Sequence, residues 1–103
     1  MRNSANNTIK AQGKDMTVLE LTVNNHPGVM SHICNLFSRR AYNVEGIVCI
    51  PIGKGETSRM WLQVNEEVKL EQIIKQVKKQ EDVLEVERHD SGHEVFLRLA
   101  SVV

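Results

Sequence analysis

From Asn24 to His32 the chain reads NNHPGVMSH. Two amides, two imidazoles, a proline and a glycine share this short run, where an alternating strand pattern gives way to a helical one. Pro27 cannot extend a strand ladder, and it biases His26 towards extended backbone. Gly28 allows close backbone approach and opens the helix. The first N–H groups of a helix have no partners inside it and carry partial positive charge. A small carboxylate fits such a place without any basic side chain. Asn25 adds an amide that both donates and accepts, which suits the ammonium and carboxylate of an amino acid together. The plainer reading is a capping turn, in which Asn25 or His26 satisfies the helix end and nothing binds.

Other chemistry is thinner. His26 and His32 are six positions apart, on different faces of a helix, and His89 and His93 straddle a Ser-Gly turn with no cysteine close by. Structural zinc needs four convergent ligands, so no metal is expected. The acidic residues Glu20, Glu66, Glu67, Glu81 and Asp82 read as spread over the surface, and no serine or cysteine stands at nucleophile spacing from a histidine. No catalytic residue is assigned. Cys34 and Cys49 form no C-x-x-C pair, and each falls in an apolar element, which reads as buried free thiols of a cytoplasmic protein.

The elements that must position the turn follow from periodicity. Met16 to Val23 alternates, with Leu19, Leu21 and Val23 on one side and Glu20 and Thr22 on the other. Val29, Ile33, Leu36 and Phe37 make one helical stripe, with Arg39 and Arg40 expected in its last turn and the helix ending near Ala41. The β-branched run Val44 to Ile52, the turn cluster Gly53 to Glu56 and the run Ser58 to Val64 form a hairpin. Leu70, Ile73, Ile74 and Val77 mark a second helix, and Val83 to Arg88 alternates again. The order β-α-β-β-α-β is the split βαβ pattern. It predicts an α+β, ferredoxin-like sandwich over residues 15–90: a four-stranded antiparallel sheet with two helices on one face. Residues 1–14 read as a loose tail, and 91–103 as a short fifth strand or a partner-binding tail.

At 103 residues this is one small domain of the kind that often gains stability by self-association. Thirteen basic residues balance thirteen acidic ones, and no long like-charge run occurs, which argues against nucleic acid. No apolar stretch is long enough to span a bilayer, and the polar start does not read as a secretory signal. Acylphosphatases share the fold but hold phosphate with an arginine in the first strand-to-helix turn, and that turn here has none. RNA-binding relatives of the fold read bases with sheet aromatics, and only Trp61 could serve. If Leu19, Leu21, Met60, Leu62 and Val64 lie under the helices, then Val18, Ile47, Cys49 and Trp61 point away. That makes the helix-free face an apolar partner surface, with Val18, Cys49 and Trp61 at its centre.

Taken jointly, NNHPGVMSHICNLFSRRAYNVEGIVCIPI and SRMWLQV resemble the small, regulatory subunit of acetolactate synthase, also called acetohydroxyacid synthase. The resemblance covers roughly Met16 to Arg88 and rests on the joint spacing of Asn-x-x-Gly, Leu-Phe-x-Arg-Arg and Tyr-Asn-x-Glu. It implies an ACT domain, a ferredoxin-like module that binds amino acids and pairs side by side as a homodimer. It implies a chain that is not itself an enzyme and carries no cofactor. The catalytic large subunit, a separate chain, would hold thiamine diphosphate, magnesium and FAD and make acetolactate for branched-chain amino-acid synthesis. The small subunit would raise that activity and confer feedback inhibition by valine. Carried over by position, the valine site falls on Asn25, His26, Pro27, Gly28, Val29, Met30 and Ser31. Asn43 would face it across the dimer interface, with Ile47 beside it. Departures are His32 where arginine is commoner, Ala41 where glycine is commoner, and no second domain. The alternative is a stand-alone ACT-domain amino-acid sensor acting on another protein.

Overall fold

A computed structural model describes residues 16–90 and 94–102. The expected tail over residues 1–14, together with His93, lies outside the described residues. Seven elements follow one another: β1 (Met16–Asn24), α1 (Val29–Ser38), β2 (Val44–Ile52), β3 (Thr57–Asn65), α2 (Leu70–Lys78), β4 (Val83–Asp90) and α3 (Glu94–Val102). The strands form one antiparallel sheet in the order β2-β3-β1-β4. Thus β1 and β3 are central, and β2 and β4 are its edges. This is the ferredoxin-like ACT arrangement that the sequence predicts.

The core forms where the strand and helix periods meet. Residues directly opposite across a ladder share a face. Leu19 opposes Leu62 and Leu21 opposes Met60, and all four are fully buried. They join Val29, Ile33, Leu36 and Phe37 of α1 and Leu70, Ile73, Ile74 and Val77 of α2 in one cluster. Both helices therefore cover the same face. Phe37 stands edge-on to Tyr42 with ring centroids 6.0 Å apart, and the Tyr42 hydroxyl donates to the Asn65 carbonyl.

Helix α1 ends at Ser38, three residues before the expected stop, so Arg39 and Arg40 follow it rather than lying in its last turn. Arg40 Nη1 donates to the Leu36 carbonyl, and Lys69 Nζ donates to the carbonyls of Arg40 and Ala41. Ala41 sits at φ 55, the left-handed conformation in which a Cβ is strained. Ala41→Gly should therefore stabilise the domain by about 0.5–1 kcal/mol. The melting temperature should rise by about 2–8 °C, and an unchanged or lower melting point would contradict the strain.

Two expectations are corrected. Glu94–Val102 forms α3, not a fifth strand. It lies on the opposite face of the sheet from α1 and α2: a Cβ placed on Gly46 would come within 2.9 Å of Phe96 and 3.2 Å of Gln63. Gln63 lies between Leu62 and Val64, both of which point into the core.

The second correction concerns β2. Its pairing with β3 shifts by one residue between Val44 and Gly46. Val44 and Gly46 therefore point to opposite faces, and parity reverses beyond them. Ile47 opposes Leu62 and Cys49 opposes Met60, so both lie on the helix side. Cys49 packs against the core there. Val48 and Ile50, opposite Trp61 and Arg59, are the residues that share Trp61's face. Val18 is also on that face but is fully buried, so it offers no surface. Both cysteines are free and half-buried rather than buried, and burial raises the Cys34 thiol above its ordinary 9.0.

Candidate functional site

The turn that joins β1 to α1 is tied down on both sides by backbone. Asn24 N–H donates to the Asp82 carbonyl at 2.8 Å, and Asn25 N–H donates to the Glu56 carbonyl at 3.0 Å. The Asn25 side chain donates to the Gly55 carbonyl at 2.8 Å. One amide hydrogen is thus spent on bracing the turn against the β2–β3 hairpin. The other hydrogen and Oδ1 remain for a ligand.

Gly28 occupies the N-cap position of α1 with φ 85 and ψ −3, and no side chain caps the helix. The plain capping reading of Asn25 and His26 therefore does not describe this turn. Val29 N–H reaches back to the His26 carbonyl at 3.3 Å, and His32 N–H bonds the Gly28 carbonyl. Among the described residues, the N–H groups of Met30 and Ser31 have no backbone acceptor. Two donors and the positive end of the helix dipole thus point outward from an exposed turn. Met30 is 45% exposed beside them. Val29 is not: its side chain belongs to the core, so it cannot line a pocket.

His26 Nε2 lies 2.8 Å from Asp82 Oδ2, and its Nδ1 lies 3.2 Å from the Pro27 carbonyl. Both ring nitrogens face acceptors, which favours the protonated ring. The hydrogen bond to Asp82, then the Pro27 carbonyl, raise His26 above 6.5. The same hydrogen bond holds the Asp82 carboxyl below 3.8. A raised histidine supplies stability that is complete below 6.5 and is lost as pH climbs through its folded value. A depressed carboxylate supplies stability that is present above 3.8 and is lost as pH falls through its folded value. The brace is therefore strongest between about 4 and 6.5 and slackens above that window. An NMR titration of the His26 ring should give a midpoint above 6.5 that returns towards 6.5 in Asp82→Asn. A midpoint unaffected by that substitution would mean that the pair does not form.

Asn43 and Ile47 lie elsewhere in the chain. β1 and β2 both run antiparallel to β3, so they run in the same direction. The turn at Gly28 follows the end of β1, whereas Asn43 precedes the start of β2. Ten residues of α1, about 15 Å, separate the two ends. One chain therefore does not bring Asn43 to Gly28. Asn43 instead helps line an open groove of about 560 Å³ with Ser38, Tyr42, Val44, Asn65 and Glu67. Ile47 is 37% exposed on the helix side, uncovered because β2 is an edge.

On the other face, His89 Nε2 lies 2.8 Å from Glu20 Oε1, and Glu87 completes a group whose ligand atoms fall within 4.8 Å of one another. Spacing along the sequence missed this group, because residues 69 positions apart meet only through the β1–β4 register. Arg59 Nε, 3.4 Å from the second Glu20 oxygen, already supplies a cation there. Among the described residues no helix is long and apolar enough to cross a membrane.

Residues 19–85 match the family described as the AHAS small subunit-like ACT domain. The acetolactate synthase isozyme 1 small subunit of Escherichia coli (strain K12) is 54% identical over 86 residues, which is 84% of this chain and 90% of that protein. The isozyme 3 small subunit of the same organism is 39% identical over 79 residues, but this chain spans only 48% of its length. The crystal structure of the acetolactate synthase small subunit from Thermotoga maritima superposes with a TM-score of 0.63 at 25% identity, over 84% of this chain and 66% of that one.

Proposed function

Because this chain belongs to the acetolactate synthase small-subunit family, of the ACT type, we propose that it is the regulatory partner of a catalytic large subunit and senses valine at a site shared by two copies of itself. The observation that carries the shared site is the separation of Gly28 from Asn43. Pairing two chains antiparallel through β2 brings the start of one β2 to the end of the other. Asn43 and Ile47 of the second copy then approach the turn of the first. Edge character supports β2 as the seam. Its sequence VEGIVCIPI holds one charge, whereas β4 reads VLEVERHD and is guarded by charges of both signs.

In this reading the ligand carboxylate meets the N–H groups of Met30 and Ser31, with Gly28 leaving the approach open. The ammonium meets Asn25 Oδ1 and the amide of the opposing Asn43. The isopropyl group rests against Met30 and the opposing Ile47, both on the helix side of the joined sheet. The helix end contributes about 0.3–1 kcal/mol and burial of the side chain about 1.5–3. Those terms place the affinity near the millimolar range before hydrogen bonds are added. That range suits a sensor of metabolite concentration. The condensation chemistry, with thiamine diphosphate, magnesium and FAD, belongs to the large subunit. This chain's part is a coupling of about 1–3 kcal/mol between its effector and that subunit.

Calorimetry with valine, leucine and isoleucine tests the ligand, and a mixing experiment tests the sharing. Gly28→Asp and Asn43→Ala should each lose valine binding alone. In the hybrid dimer one of the two sites should be regained, because it receives an intact turn and an intact Asn43, so a random mixture should recover roughly a quarter of all sites. No recovery in verified mixed dimers would refute a shared site. Failure of the purified large subunit to retain this chain would favour a sensor acting on another protein.

A further inference from the structure

We propose that α3 is a clamp that reaches across the β2 seam and packs on the second copy of this chain; the proposal rests on the β2 pairing above. Phe96 seats α3 over Gly46, which lies near the start of edge strand β2. A helix with its side chains is about 10–12 Å wide, whereas neighbouring strands lie about 4.8 Å apart. A helix whose Phe96 ring rests on the edge strand therefore comes within reach of whatever strand pairs next to it. In the dimer that strand is the β2 of the second copy.

The strand arithmetic names what lies within that reach. β2 runs from Val44 to Ile52, so full-length antiparallel pairing with its own copy centres on Val48. Gly46 of one chain then stands opposite Ile50 of the other, about 5 Å away. Opposed residues share a face. Gly46 and Ile50 both lie on the α3 side, opposite Gln63 and Arg59. Ile50 is 48% exposed, an apolar side chain with no cover in a single chain. The helix above it is unpartnered in the matching way: Leu99 is 49% and Val102 81% exposed, three positions apart on the stripe that begins at Phe96.

Two uncovered apolar patches thus flank one edge, on one face, and twofold pairing closes each over the other. Gly46 is what allows the seat. Its missing Cβ makes room for the Phe96 ring, and any larger residue would force that ring to shift. The clamp uses the face opposite the turn, so disturbing it leaves the donors of Met30 and Ser31 in place.

The test is sedimentation equilibrium of the full chain, the double variant Leu99→Ser, Val102→Ser, and Ile50→Ser. The double variant replaces exposed side chains and should keep its fold by circular dichroism. Its dimer dissociation constant should rise about 10- to 100-fold, the loss expected for partly uncovering a few aliphatic groups. Adding Ile50→Ser to the double variant should weaken the dimer less than Ile50→Ser does alone, because the two patches contact each other. A dissociation constant unchanged in the double variant would overturn the clamp while leaving the seam intact. So would strictly additive effects, or a loss confined to large-subunit binding. A natural chain that stays monomeric at all concentrations would overturn seam and clamp together.

Discussion

Valine should bind Gly28→Asp about 10- to 100-fold more weakly than it binds the natural chain, and feedback inhibition should weaken in parallel. Two like charges held about 4 Å apart repel by about 1 kcal/mol in water and by about 4 at the polarity of a protein surface. Each 1.4 kcal/mol is tenfold. The structure makes this substitution informative. A Cβ on Gly28 meets nothing within 4 Å, so the substituted side chain starts into open space. What remains is the φ of 85, a strain of about 1 kcal/mol that aspartate bears better than most residues. Gly28→Ala carries the strain without the charge. Calorimetry should rank the natural chain first, Gly28→Ala second and Gly28→Asp last. Equal affinity of natural and Gly28→Asp chains would remove the turn from the site.

The second large effect concerns the fold. Phe37→Ala should cost about 3–5 kcal/mol, a large share of the 5–15 that holds a domain together. Phe37 is fully buried where α1 meets the sheet and stands edge-on to Tyr42, whose hydroxyl anchors the start of β2 to the end of β3. Its removal opens a cavity and loosens the segment that presents Asn43. At fixed protein concentration, urea unfolding should shift to lower midpoint by about 1.5 M or more. The concentration must be held constant because dimerisation adds to apparent stability. A loss under about 1.5 kcal/mol would mean that the neighbouring side chains collapse into the space.

The expected effects differ in where they are legible. Gly28 announces itself locally, since a proline and a glycine between a strand pattern and a helix pattern leave few conformations for the backbone. Phe37 is legible from its stripe with Val29, Ile33 and Leu36. Ala41 is not legible from its own type: alanine is an ordinary helix residue, and the glycine commoner there in the resembling family hints at the positive φ that the chain path into Tyr42 shows. The His26–Asp82 and Glu20–His89 pairs were invisible, because residues 56 and 69 positions apart meet only when loops and strands are brought side by side.

The family was legible in the joint spacing of the motifs. The amino-acid sequence by itself also determined the order of elements from β1 to β4, the core stripes of α1 and α2 and the turn as a candidate site. Those properties depend on local backbone preference and on periods of two and 3.6 residues, which a single chain carries in its letters. The tertiary structure decided what depends on parity and on neighbours. VEGIVCIPI is apolar on both sides, so its alternation marks no face, and the one-residue shift after Val44 turned Ile47 and Cys49 to the helix side. For SGHEVFLRLASVV, short apolar spacing suits a strand or a helix alike. A glycine on β2 that leaves room for Phe96 lets Glu94–Val102 lie on the sheet as α3. In both cases the deciding interaction is a contact between segments far apart in the chain, and no local pattern encodes it.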